Sequence, residues 1–214
     1  VESRGLGDVY KRQMDMKPYP CCRSAHCAID GILEIREQME RRMGLQIQNK
    51  PEAEILAQQI RAIEIDTYLV GYKQCAVSDG CLHPKTILDA KFSTPYSVSA
   101  AFLYGTVGME QFESEVVFDP AVQNLLEKVT VHPSDRFTEQ YPKHWGCHVK
   151  ATMQDGTVYE VEVKDPSGSV ARPLSREQAM KKAEEFLSVV CPGRETETIE
   201  ELLNLESRNM LPSI

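Results

Sequence analysis

The stretch "HVKATMQDGTVYEVEVK" at residues 148–164 constrains the fold more than any other part of the chain. Two runs of alternating apolar and polar residues flank Asp155-Gly156. A period of two sends one set of side chains to each face of a strand. Asp-Gly is a pair that a tight turn favours, because glycine tolerates positive φ. The segment is therefore predicted to be a β-hairpin with one buried face. A lone hairpin is marginal in water, so further strands and helices must cover that face.

Two more stretches read as strands. "IRAIEIDTYLV" is rich in β-branched residues, with Ile60, Ala62, Ile65 and Tyr68 as its irregular inward set. "KVTVHPS" follows the same logic and closes at Pro133. Helical spacing appears at Ile29, Ile32, Leu33, Arg36, Met39 and Met43, after Ser24 as the expected N-cap and before Gly44 as the stop. A second helix is predicted from about Ser93 to Tyr104, ended by Gly105. Asp119 and Pro120 form an N-cap and first-position pair for a third. Ser175 caps a fourth, through about Val189, and a last helix covers Thr198 to Leu205. Residues 71–90 are expected to form a long loop. The mixture gives an α+β class: a small mixed or antiparallel sheet with packed helices.

Composition then restricts the partners. The 214 residues are 42% hydrophobic, enough for a real core. A formal charge of -8 argues against nucleic acid, which needs a clustered basic face. It still leaves room for a local basic pocket. No apolar run approaches the roughly 18 residues of a membrane helix, so no membrane partner is expected. The seven cysteines lack framework spacing, and free thiols in a cytoplasmic setting are expected.

The opening residues stand apart. "SRGLGDVYKRQ" back-translates to a sequence that resembles the transposon-end adapter of sequencing libraries. Residues 1–13 are therefore expected to be non-native, and residues 14–214 to be the C-terminal part of something longer. A phosphate loop at Gly5 and Gly7 would need a preceding strand, which is absent from the pattern.

"KPYPCCRSAH" (residues 17–26) concentrates reactive side chains. Zinc is not expected there, because neither Cys21, Cys22, His26 and Cys27 nor the later Cys81–His83 and His144–Cys147–His148 groups form paired CxxC knuckles. A disulfide between adjacent Cys21 and Cys22 would need a strained ring. An anion site fits better. His26 falls in the first turn of the predicted helix, where the helix dipole favours a neutral imidazole and an anionic ligand. Arg23 lies beside it.

"KPYPCCRSAHCAID", "DAKFSTPYSVSAAFLYG", "DPAVQNLLEKVTV" and "DGTVYEVEVKDPSGSVARPLS" occur in that order. Together they resemble the MmgE/PrpD family, across nearly all of residues 14 to 205. The resemblance implies an α+β lid domain over 14–172 and, over 173–214, a helical segment of a mostly missing all-helical domain. It implies a cofactor-independent lyase, with neither metal nor organic cofactor, acting on a small di- or tricarboxylate. A 2-methylcitrate dehydratase-type hydro-lyase comes first. Dicarboxylate epimerisation or isomerisation comes second and cis-aconitate-type decarboxylation third. The full-length protein would be a homodimer. A non-catalytic module that binds carboxylates or a protein is the alternative of another class.

The resemblance also implies roles. Lys17 and Lys91 would contact substrate carboxylates, and Tyr96 would be a proton donor or oxyanion partner. Cys22 falls where cis-aconitate decarboxylases carry a functional histidine, a departure that weakens the decarboxylase reading because a thiol is the poorer proton shuttle at neutral pH. With His26 as a catalytic candidate and Arg23 and Cys22 as substrate contacts, the stretch reads as one wall of a carboxylate pocket. Each residue has a plainer alternative: a solvated lysine for Lys17, a pocket wall for Cys22, a packed ring for His26, a core aromatic for Tyr96 and an ion pair for Lys91. The base would lie in the missing N-terminal domain, so this piece alone is expected to be inactive.

Overall fold

The computed structural model describes residues 15–204, so the reading of residues 1–13 lies outside the described residues. The described chain forms two compact units. One is Tyr19–Ser167, and the other comprises residues 15–18 and 168–204.

The first unit is built on a sheet of β1 (Ile60–Thr67), β2 (Val129–Pro133), β3 (Cys147–Met153) and β4 (Val158–Val163), in the order β2-β1-β3-β4. β1 runs parallel to β2 and antiparallel to β3, and β3 and β4 form the hairpin expected around Asp155-Gly156. The sheet is therefore mixed. The register aligns Val131, Ile65, Val149 and Val161 in one row, and His132, Asp66, His148 and Glu162 in the next. Successive rows face opposite sides, which explains why apolar and charged residues alternate along every strand. In β1 the buried set is Ile60, Ile63, Ile65 and Thr67. An irregularity in pairing between Ile60 and Ala62 shifts the face, so Ala62 is not part of the inward set that alternation alone had suggested.

Nine helices of this unit are described: α1 (His26–Met43), α2 (Lys50–Gln58), α3 (Leu69–Cys75), α4 (Asp79–Leu82), α5 (Ile87–Lys91), α6 (Thr94–Tyr104), α7 (Ser114–Val117), α8 (Pro120–Leu126) and α9 (Asp135–Gln140). α1 packs against β3, β4 and α6. Its Ile29, Ile32, Ile35 and Met39 are fully buried, a stripe at helical spacing. Gly31 lets the helix approach the sheet. A Cβ at that position would sit 2.7 Å from Val149 Cγ2. Gly44 ends α1 in the left-handed conformation, at φ 63°.

Two expectations about the helices are corrected. Ser24 does not cap α1, whose N-cap is Ala25 without a side-chain bond. Ser24 lies in a 3-10 turn, Arg23–Ala25, and its hydroxyl is used elsewhere. Residues 71–90 are not a long loop but hold most of α3, all of α4 and most of α5, with Ser78 and Thr86 as side-chain caps. α2 was not foreseen, although Asn49 caps it through Glu52 N. α7 and α9 were not foreseen either, and α1, α6 and α8 fall where they were expected, to within a few residues.

In the second unit, α10 (Arg176–Val190) opens with a capping box between Ser175 and Gln178, and α11 (Glu195–Leu203) packs on it. Met16 N donates to Gly168 O at 2.8 Å. Gly168 has φ 76°, and a Cβ there would fall 1.9 Å from Met16 O, so no other residue fits. Among the described residues, no helix is long and apolar enough to cross a membrane.

Candidate functional site

The chain approaches α1 through the 3-10 turn Arg23–Ala25, and this corner gathers four of the expected residues. Cys22 N donates to Lys91 O at 2.8 Å, which fixes the end of α5 beside the turn. Cys22 and Lys91 are half-buried, whereas Arg23 and His26 are buried. Arg23 Nη1 lies 3.3 Å from His26 Nδ1 and donates to Ser167 O at 3.1 Å. A guanidinium can only donate, so Nδ1 of His26 accepts. The ring proton is thereby assigned to Nε2, which faces Cys21 O at 3.4 Å. His26 is 0% exposed and its two ring nitrogens face Arg23 and Cys21 O.

A second layer holds the corner from behind. Tyr19 packs edge-on against His26, with ring centroids 5.1 Å apart. Its hydroxyl donates to Asp30 Oδ1 at 2.6 Å, and the other carboxylate oxygen accepts from Ser167 N at 2.7 Å. Asp30 thus ties down both Tyr19 and the residue whose carbonyl receives Arg23. On the other side, Tyr68 hydroxyl donates to Ser24 Oγ at 2.9 Å, and Ser24 Oγ donates to Gln74 Oε1 at 2.8 Å. Burial pushes the Tyr68 hydroxyl well above the usual phenol range. Next along α3, the Cys75 thiol is pushed up by its hydrogen bond to Cys22 and by burial. Asp30, Tyr68 and Cys75 were not singled out in the sequence. Asp30 did leave a signal, as a carboxylate inside the apolar run "CAIDGILEI".

Tyr96 lies elsewhere in the same unit. It is fully buried, and its hydroxyl donates to Gln111 O. Burial raises its ionisation well above the usual phenol range. It reaches Lys91 only through Phe112, whose ring is 5.7 Å from Tyr96 and 5.7 Å from Lys91 Nζ. Lys17 belongs to the other unit, exposed on the extended segment that pairs with Gly168. The structure therefore brings Cys22, Arg23, His26 and Lys91 together and keeps Tyr96 in the core beneath. Among the described residues, no group of three or more His, Cys, Asp or Glu is arranged to hold a metal ion.

The class this defines is an α+β domain with a buried arginine and a half-buried cysteine at the corner where a chain turn enters its central helix. The chain belongs to the MmgE/PrpD family: the MmgE/PrpD C-terminal domain matches over residues 19–206. It is similar to cis-aconitate decarboxylase of Mus musculus, 31% identical over 103 residues, covering 46% of this chain and 20% of that protein. It is also similar to the mitochondrial 2-methylcitrate dehydratase of Yarrowia lipolytica (strain CLIB 122 / E 150), 31% identical over 78 residues, covering 34% of this chain and 15% of that protein. These matches span a fifth or less of the relatives' own lengths.

Proposed function

We propose that this chain is the C-terminal part of a lyase for a small di- or tricarboxylate, with hydro-lyase chemistry of the 2-methylcitrate dehydratase type. The observation that carries the reading is the corner at the start of α1. Arg23 supplies a fixed positive charge, held by His26 and Ser167 O, and the backbone carbonyl of Lys91 is joined to the same turn through Cys22 N. Guanidinium and ammonium groups match carboxylates, and they stabilise the negative charge that develops when a proton leaves the carbon beside one. Residues from 173 onward belong to a helical domain that carries the base and the homodimer contact.

Decarboxylation is the second reading, favoured by the similarity to the mouse decarboxylase. Cys22 is the residue that distinguishes the two, since a thiol gives a decarboxylase little to move protons with at neutral pH.

The test uses the full-length parent protein. Polycarboxylates should raise its melting temperature, and 2-methylcitrate should be dehydrated. Arg23→Gln should lower kcat/KM about 100-fold, the equivalent of roughly 3 kcal/mol. The 214-residue chain alone should turn over neither 2-methylcitrate nor cis-aconitate. A full-length protein indifferent to every polycarboxylate would leave only the protein-binding module alternative standing.

A further inference from the structure

We propose that Gln74 is a substrate contact of the corner, whose side-chain N–H groups donate to a carboxylate oxygen of the bound di- or tricarboxylate. The inference rests on the reading of the corner as a carboxylate site. It starts from a buried hydroxyl. Tyr68 is 1% exposed, with its ring stacked on Tyr141 at 4.7 Å between centroids. A buried O–H has to donate, and among the described residues the acceptor that the Tyr68 hydroxyl meets is Ser24 Oγ at 2.9 Å. The Ser24 hydroxyl has one proton of its own. It accepts from Tyr68, so that proton goes to the Gln74 side chain, at 2.8 Å. A carboxamide accepts only through its oxygen. The direction of the relay therefore fixes the amide, with Oε1 toward Ser24 and the NH2 group turned away from it.

Few exposed glutamines are held in this way. Gln74 is exposed at the last turn of α3, yet its carboxamide is anchored to a core tyrosine through two hydrogen bonds. Among the described residues, Gln74 Nε2 donates to no acceptor. The anchor, Ser24, is the middle residue of the Arg23–Ala25 turn, so the oriented carboxamide sits at the turn that carries Arg23. Donors fixed in advance bind a carboxylate without the ordering cost that a free side chain brings, and they add hydrogen bonds beside the arginine charge.

The plainer role for Gln74 is to accept the Ser24 proton and nothing more. Glutamate separates the two roles. Gln74→Glu keeps an oxygen for Ser24 and the length of the side chain, but replaces the NH2 group with a second, negatively charged oxygen.

The experiment follows dehydration of 2-methylcitrate by the full-length parent. Gln74→Glu should raise KM about tenfold or more and leave kcat within about twofold, since the contact is the same in the ground and transition states. Gln74→Met keeps the length, loses both donors and should raise KM about five- to tenfold. Tyr68→Phe removes the head of the relay and should raise KM a few-fold. 2-Methylcitrate should also raise the melting temperature of Gln74→Glu less than that of the parent. Gln74→Glu with the parent's KM would overturn the contact and leave Gln74 as the acceptor for Ser24. A fall in kcat at unchanged KM would overturn it as well. If Gln74→Glu fails to fold, Gln74→Met decides on the same terms. A parent that binds no polycarboxylate would overturn the lyase reading and the contact together. A parent that turns over 2-methylcitrate, with every Gln74 variant at the same KM, would overturn the contact alone.

Discussion

Around Asp30 the chain closes on itself. One oxygen takes the Tyr19 hydroxyl at 2.6 Å and the other takes Ser167 N at 2.7 Å, so a single carboxylate holds the entry and the exit of the Tyr19–Ser167 unit. The charge is 7% exposed and depends on these donors for the solvation it has given up. Tyr19→Phe removes one of them with no change in shape. Hydrogen bonds to charged groups are worth roughly 1.5–3 kcal/mol, so the variant should unfold about 2 kcal/mol more easily in urea. A loss below about 0.5 kcal/mol would mean that water replaces the hydroxyl, and that Asp30 is not the clasp described. Sequence reading located this corner but not its structure. Arg23, Cys22 and His26 drew attention because reactive types cluster there. The partners of Cys22 and Arg23 lie at Lys91 and Ser167, and no local pattern announces a contact across such separations. Tyr96 shows the same limit from the other side, since motif and position say nothing about a hydroxyl turned toward Gln111 O.

At the scale of elements, legibility followed length. The hairpin, α1 and α6 run long enough to repeat their period and end on clear stops, Asp155-Gly156, Gly44 and Gly105. α4 and α5 span four and five residues, too few to show any helical repeat, and only their Ser78 and Thr86 caps betray them. α2 could have been found, because Asn49, Pro51 and Glu52 make a helix start. The packing of α1 on the sheet carries its own prediction. Alanine at Gly31 would gain about 1 kcal/mol of helix propensity. Its Cβ would meet Val149 Cγ2 at 2.7 Å and Val149 Cβ at 3.2 Å, both in the core. Overpacking of that kind costs about 1–3 kcal/mol, so the net effect of Gly31→Ala should be a loss of about 1 kcal/mol. In a Val149→Ala background the 2.7 Å clash is gone and only the Cβ contact at 3.2 Å remains, so the sign should reverse. Urea unfolding of the two single variants and the double variant gives the coupling directly. A stabilising Gly31→Ala in the unmodified chain would show that the helix does not press on β3.

At the scale of the molecule, the two units differ in what they bury. The core cluster runs from Cys21 to Val163 and lies entirely within the Tyr19–Ser167 unit. α10 has a helical pattern and a complete capping box, yet none of its fifteen residues is buried, and Val189 and Val190 are 76% and 66% exposed. Caps and propensity alone hold a helix of this length only marginally, because most helical stability in proteins comes from packing an apolar face. α10 should therefore open far more often than the sheet unit, whose opening requires loss of the whole core. Limited trypsin digestion of the 214-residue chain should cut first at Arg176, Lys181 or Lys182 within α10. A product containing residues 19–167 should persist and still unfold in a single cooperative urea transition. In the full-length parent the same three bonds should resist trypsin, because the proposed helical domain would cover the face that α10 leaves bare. First cleavage inside Tyr19–Ser167 would show that this unit does not stand by itself. Equal cutting of α10 in the parent would remove the helical-domain assignment of residues 173 onward while leaving the sheet unit and its corner intact.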